Sequence, residues 1–414
     1  MSRTVIFNTG RIASGNIKHP ILDADTILIE NDKIAKIGRK DDININSAEI
    51  KIDADQMVIT PGLIDPHVHN VIGDWSPIQH AVDWMAGYLL AGVTTLLSQG
   101  ENNLGGLTMD SIGNKALAIL GAKTYNNYRP GGAQKVHGGA LMLADGLTKD
   151  DFKEMTEGGV WLIAEIGGAG LADPKKVAEM VEWAHEYKWK VNMHLGPTSI
   201  PLSSPITSSD VKIVNPDIVC HINGGSTASA MDDVKKVIDE TDAYLELIFN
   251  GNPRAGVEIV DYIKKKGQEH RVTLGSDTPT GNGMIPTSIW RLMLQIASLN
   301  RLSGAEVVAY GTGNTARAYG LNRGTIEVGR EADILAVDKP LGSQGKDALE
   351  ALEVGDVPGT GMIMVDGRIV ALRGRDTRNI ARAIKVNGVE KRITLFEDYL
   401  WGPWRFNVDT LAGA

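Results

Sequence analysis

The strongest constraint in this chain is a rhythm: between Pro61 and about Ala318, apolar runs of four to seven residues alternate with amphipathic stretches. The runs are Leu63–His69, Val93–Ser98, Val136–Met142, Val160–Glu165, Lys190–His194, Ile218–His221, Ala243–Ile248 and Val272–Asp277. Short, continuously apolar runs are the mark of strands buried on both faces. Between them, Val177–Tyr187 and Met231–Thr241 carry apolar residues at helical spacing, with charges on the opposite face. Eight such units in about 250 residues predict an α/β protein whose central part, residues 61–319, is a (β/α)8 TIM barrel. In that fold the site lies at the C-terminal ends of the strands.

The flanks have a different texture. Thr4–Phe7, Thr26–Ile29 and Ile34–Ile37 read as short strands, as do Gly324–Ile326, Ala332–Val337 and Met362–Val365 with its Asp366-Gly367 turn into Ile369–Ala371. Residues 1–60 and 320–385 are therefore expected to build one small β-sandwich domain from both chain ends. Residues 386–414 form an aromatic-rich extension in which Phe396, Tyr399, Trp401, Trp404 and Phe406 crowd together. Such a cluster is expected to pack on a neighbouring surface of its own domain or of another subunit.

Charge narrows the partners. The chain has 42 Lys+Arg against 51 Asp+Glu, net −9, a balance that gives no attraction for nucleic acid or an anionic membrane surface. Hydrophobic residues at 43% with 22% charged exclude global disorder. No run approaches the roughly 18 apolar residues of a membrane span, and the N-terminal stretch has no signal-type apolar region. The lone cysteine, Cys220, cannot form an internal disulfide and fits a reducing compartment, so the expected location is the cytoplasm.

The chemistry lies in how the runs end. The first finishes on His67-Val68-His69, and the two-residue period of a strand puts both imidazoles on one face. Others finish on Glu165, His194, His221 and Asp277. Taken singly, Glu165 reads equally well as a surface or capping acid, His194 and His221 as hydrogen-bonded core histidines, and Asp277 before Thr278-Pro279 as an Asx turn. Together, four histidines and two carboxylates converge on one rim of one barrel, and that crowding is costly to bury without a cation. Imidazole and carboxylate donors suit zinc or iron alike.

These residues carry a family resemblance. Thr60-Pro61-Gly62-Leu63-Ile64-Asp65-Pro66-His67-Val68-His69 resembles the opening signature of the amidohydrolase superfamily, and Gly313–Arg317 through Glu331–Ile334 resembles its closing one. Val136–Ala140, Met180–His185, His221–Gly225 and Gly281–Pro286 are similar to the enamidases of that superfamily, which open the cyclic enamide 6-oxo-tetrahydronicotinate in anaerobic nicotinate breakdown. The resemblance implies a binuclear centre of two divalent ions, zinc and iron mixed. His67, His69 and Asp277 would hold one ion, His194 and His221 the other, and Glu165 would bridge them where many relatives use a carboxylated lysine. It implies a hydrolase acting on the C–N bond of a small cyclic amide, with Asp277 as the catalytic proton carrier, release of ammonia and an aldehyde, and a homotetramer. The alternatives are another cyclic amidohydrolase or imidase, a heterocycle deaminase, and a non-catalytic scaffold.

For substrate contacts the candidates are His137, where the third strand opens, and Tyr128, Arg129 and Arg254 for a carboxylate. Gly139 stands where similar deacetylases carry a metal-binding Glu. Cys220, one residue before His221 on a strand, is expected to point away from the site as a core thiol. Gly311–Ala316 superficially matches a dinucleotide fingerprint but follows a helix. Arg373, Arg375, Arg378, Arg382 and Lys385 read as a solvated or intersubunit face, and His185 as an outer-surface residue.

Overall fold

The computed structural model describes residues 2–70, 81–101, 108–128, 134–198, 200–225, 227–279, 283–373 and 377–390. Seven strands precede the barrel: β1 (Arg3–Phe7), β2 (Ile12–Ala13), β3 (Ile21–Leu22), β4 (Thr26–Glu30), β5 (Lys33–Gly38), β6 (Ile50–Asp53) and β7 (Val58–Pro61). Eight alternating pairs follow. They are β8 (Leu63–Val68) and α1 (Ala81–Leu90), β9 (Val93–Ser98) and α2 (Ser111–Tyr128), β10 (Lys135–His137) and α3 (Lys149–Glu157), and β11 (Leu162–Ile166) and α4 (Pro174–Glu186). The second half is β12 (Lys190–Met193) and α5 (Ser208–Val214), β13 (Ile218–Val219) and α6 (Met231–Glu240), β14 (Tyr244–Ile248) and α7 (Pro253–Lys266), and β15 (Val272–Gly275) and α8 (Ser288–Asn300). All eight expected barrel strands are present.

The strands run parallel in chain order, β8 to β10 in one sheet and β11 to β15 in another. Single parallel bridges, Leu141 to Ile163 and Val68 to Thr278, join the two sheets at both seams and close the barrel. The helices form for local reasons. In α4, Asp173 accepts from the backbone N–H groups of Lys175 and Lys176, Pro174 occupies the first turn, and Val177, Met180, Val181 and Ala184 make one buried stripe. Inside the barrel, Ile64, Leu97, Leu162, Ala164 and Ile218 pack with Ala316 and Tyr319, from the short helices after α8.

The last strands, β16 (Ile334–Asp338), β17 (Gly359–Val365), β18 (Arg368–Leu372), β19 (Lys385–Val386) and β20 (Val389–Glu390), return to the chain's start. Two six-stranded sheets result, ordered β20-β19-β6-β1-β4-β5 and β18-β17-β16-β7-β2-β3. The pairing of β7 with β16, Thr60 opposite Leu335, stitches the two ends together. Ile6, Ile27, Ile52, Ile59, Ile334 and Met364 share their core. Strand pairing runs on to Glu390, past the expected edge at residue 385, because β19 finds β6 as a partner. Gly324–Ile326 forms no strand.

The Gly311–Ala316 stretch is a π-helical turn over Tyr310–Asn314, not a phosphate loop. A Cβ on Gly313 would collide with the Gly15 carbonyl oxygen, so this glycine lets helix and sandwich approach each other. Of the basic residues nearby, Arg382 is paired with Asp338 at 2.6 Å and Arg375 lies outside the described residues. The aromatic cluster from Phe396 to Phe406 also lies outside them.

Candidate metal centre

Alternation along β8 brings the His67 and His69 rings to one side, their centroids 5.2 Å apart. Asp277 follows β15 in a left-handed conformation, φ 60°, that turns its carboxylate back toward them. That turn is held by backbone and side chain alike: Asp277 N–H donates to the His67 carbonyl at 3.0 Å, Ser276 N–H to Asp65 at 3.0 Å, and the Asn250 amide to the Asp277 carbonyl at 2.8 Å. Asp277 Oδ1 consequently lies 3.0 Å from His69 Nε2 and 3.5 Å from His67 Nε2.

A second group adjoins the first. Glu165, near the end of β11, sets Oε2 2.7 Å from His221 Nε2, 3.8 Å from His194 Nδ1 and 3.9 Å from His67 Nε2. The same oxygen thus faces both groups. His194 Nδ1 and His221 Nε2 are 3.1 Å apart.

These spacings fit a metal. Four donors about 2.1 Å from one ion stand roughly 3.4 Å from each other, and the nitrogen–oxygen separations within each group scatter around that length. His67 Nε2 is buried with no hydrogen-bond partner and faces both carboxylates. Without cations, so many inward-facing lone pairs in a buried space would be strongly unfavourable. The electrostatics agree. Burial opposes ionisation of Glu165, but His221, His194 and His67 outweigh it and hold its carboxyl well below the usual carboxylate range. Asp277 is held down likewise, burial being overcome by His67 and His69. Burial opposes the His67 imidazolium, yet Glu246 and Asp277 raise its pKa well above the ordinary histidine value.

All six expected ligand residues therefore meet in one place, as His67, His69 and Asp277 beside Glu165, His194 and His221. Of the proposed substrate contacts, the two that are described, His137 and Arg254, have partners elsewhere. His137 lies edge-on to Trp161, ring centroids 5.3 Å apart, and 3.4 Å from Arg323, whose guanidinium pairs with Glu331 at the sandwich boundary. Arg254 is 88% exposed and paired with Glu258 one turn along α7. The Tyr128 side chain and Arg129 lie outside the described residues.

Cys220 corrects the alternation argument. Cys220 lies two residues after Ile218 and shares its inward face, where it joins His67 and Glu246, and it is His221, with φ 34°, that leaves the period of two and turns into the site as well. Burial pushes its thiol pKa well above the ordinary value. His185 is half-buried rather than free, with Nε2 3.0 Å from Asp217. Glu246 escaped the sequence reading: it is fully buried in β14 with Oε2 2.7 Å from His67 Nδ1. Its signal was an acid in the middle of the apolar run Tyr244–Ile248. Asp65 is a comparable case, with burial pushing its carboxyl up to about 7.

Residues 218–370 match the amidohydrolase family. Enamidase from Eubacterium barkeri is 45% identical over 386 residues, covering 93% of this chain and all of that protein. The chain belongs to the amidohydrolase family. A crystal structure of enamidase superposes on this amidohydrolase with a TM-score of 0.90 at 44% identity, over 93% of this chain and the whole of that one. A D-hydantoinase structure from a Thermus species shares the fold, with a TM-score of 0.63 at 18% identity over 90% of this chain and 96% of its own. Among the described residues no helix is long and apolar enough to cross a membrane.

Proposed function

We propose that this amidohydrolase opens the ring of a cyclic enamide at its amide C–N bond, with 6-oxo-tetrahydronicotinate as the favoured substrate. The observation that carries the reading is the full set of six ligand-type side chains gathered at one site, in a chain 45% identical over nearly its whole length to an enamidase. His67, His69 and Asp277 would hold one cation, His194 and His221 the other, and Glu165 would serve both; zinc and iron both suit the donors. When bound, two such ions acidify a water and polarise the amide carbonyl.

The chain's own residues then manage the proton. Asp277 stays ionised because His67 and His69 stabilise its carboxylate, so it can accept the proton of the attacking water. It passes that proton to the ring nitrogen as the C–N bond breaks. The product's enamine nitrogen tautomerises to an imine, and a second water releases ammonia and leaves an aldehyde. The enzyme works in this reading as a cytoplasmic homotetramer.

The test is a panel of cyclic enamides, imides and hydantoins scored for ring opening, ammonia and aldehyde. The expected outcome is turnover of the enamide with one ammonia per ring, lost by at least about a hundredfold in Asp277→Asn. Turnover of imides or hydantoins alone, without ammonia, would replace the enamide with another ring.

A further inference from the structure

Glu246 stands between the two halves of the site. Its carboxylate touches no substrate-facing surface: it is fully buried within β14. Oε2 accepts the Nδ1–H of His67 at 2.7 Å and the backbone N–H of His221 at 3.3 Å. His67 belongs to the group beside Asp277 and His221 to the group around Glu165. One oxygen thus braces one residue from each group. The space it occupies is reserved: a Cβ on Gly275 would lie 2.9 Å from the His67 Cβ and 3.0 Å from Glu246 Oε1. Glycine at 275 leaves room for the carboxylate and the imidazole to meet.

We infer that Glu246 is a positioning residue that couples the two metal sites, fixing His67 with Nε2 inward and holding His221 in its left-handed turn. A hydrogen bond to Nδ1 selects the tautomer that leaves the Nε2 lone pair free, the usual task of a carboxylate behind a ligating histidine. The second bond adds something a single carboxylate–histidine pair does not have. Non-glycine residues adopt positive φ only when neighbours hold them there, and the His221 N–H is held by the same oxygen. Removing Glu246 should therefore loosen ligands of both ions together, although it would contact neither. The inference rests on the two-metal reading above.

The experiment is a competition titration of the metal-stripped full-length protein with Zn²⁺ against a chromophoric chelator. It compares wild type, Glu246→Gln, Glu246→Ala and the control Thr273→Val, Thr273 being the buried ladder partner of Glu246. Wild type should take up two equivalents. Both binding steps should weaken in Glu246→Ala by about 10- to 100-fold, and less in Glu246→Gln, which keeps an acceptor oxygen, while Thr273→Val binds as wild type. The visible spectrum of the Co²⁺-loaded variants should shift as well. Glu246→Gln preserves volume, so it stays informative if the alanine variant does not fold. Two equivalents in wild type with neither step moved, or with only one step moved, overturns the coupling. Fewer than two equivalents in wild type overturns the two-metal reading and the coupling with it.

Discussion

Replacing Glu165 by alanine gives the sharpest check on the centre. Its Oε2 faces His221, His194 and His67 at 2.7, 3.8 and 3.9 Å, so in the proposed two-metal centre the substitution would take a donor from both ions at once. The site around His67, His69 and Asp277 keeps three donors, whereas the other keeps only His194 and His221. Four-ligand zinc sites are worth roughly 10–16 kcal/mol, or about 2.5–4 per ligand. Loss of one donor of three therefore weakens the second site by about 3 kcal/mol, roughly a hundredfold in Kd. Elemental analysis after dialysis against a mild chelator should find two equivalents per chain in wild type and one or fewer in Glu165→Ala. Two equivalents held by the variant as firmly as by wild type would refute the bridging role.

Three further outcomes are expected. Lys135 Nζ is buried among Glu331, Asp333 and Asp366 at 2.6, 2.8 and 2.6 Å, so Lys135→Met leaves three clustered carboxylates with Arg323 as the remaining cation facing Glu331 and Asp333, and should destabilise by about 3–5 kcal/mol; an unchanged denaturation midpoint would contradict that. For Asp217 burial is outweighed by His185 and Lys190, which lower its pKa; a depressed carboxyl stabilises above its unfolded value of about 4 and loses that contribution as pH falls through the folded value. Asp217→Asn should accordingly be less stable than wild type at pH 7 by roughly 1–3 kcal/mol and show a flatter loss of stability below pH 4, and parallel melting curves across pH would count against the ion pair. Cys220 is fully buried with a raised thiol pKa, so it should react with a thiol reagent only on unfolding, and Cys220→Ala should keep kcat within about tenfold of wild type; a dead variant would make the thiol part of the chemistry.

The barrel was legible because strands buried on both faces must be apolar throughout, and eight such runs stand out against amphipathic helices. Their ends were less so. The third run was read to Met142 but forms a continuous ladder only over Lys135–His137, with a single further bridge at Leu141, and the sixth was read to His221 but forms its ladder only over Ile218–Val219. The substrate candidates illustrate the same limit: His137 ends a strand as the ligands do, yet its ring meets Trp161 and Arg323 instead of the cluster.

By itself the sequence determined what each residue can do and which runs must be buried, because side-chain chemistry and apolar periodicity are local properties. That was enough to single out His67, His69, Glu165, His194, His221 and Asp277, each at or near the end of a barrel strand, as residues the fold brings together. The tertiary structure alone decided what those residues meet. Glu246 reaches His67 across 179 positions of sequence, and the two meet because barrel closure sets β14 and β8 on either side of β15. His221 enters the cluster because it adopts a positive φ that alternation does not foresee, while Cys220, two residues after Ile218, keeps to the inward face. Proximity between distant segments and departures from regular backbone geometry are set by closure of the whole fold, so no local pattern records them.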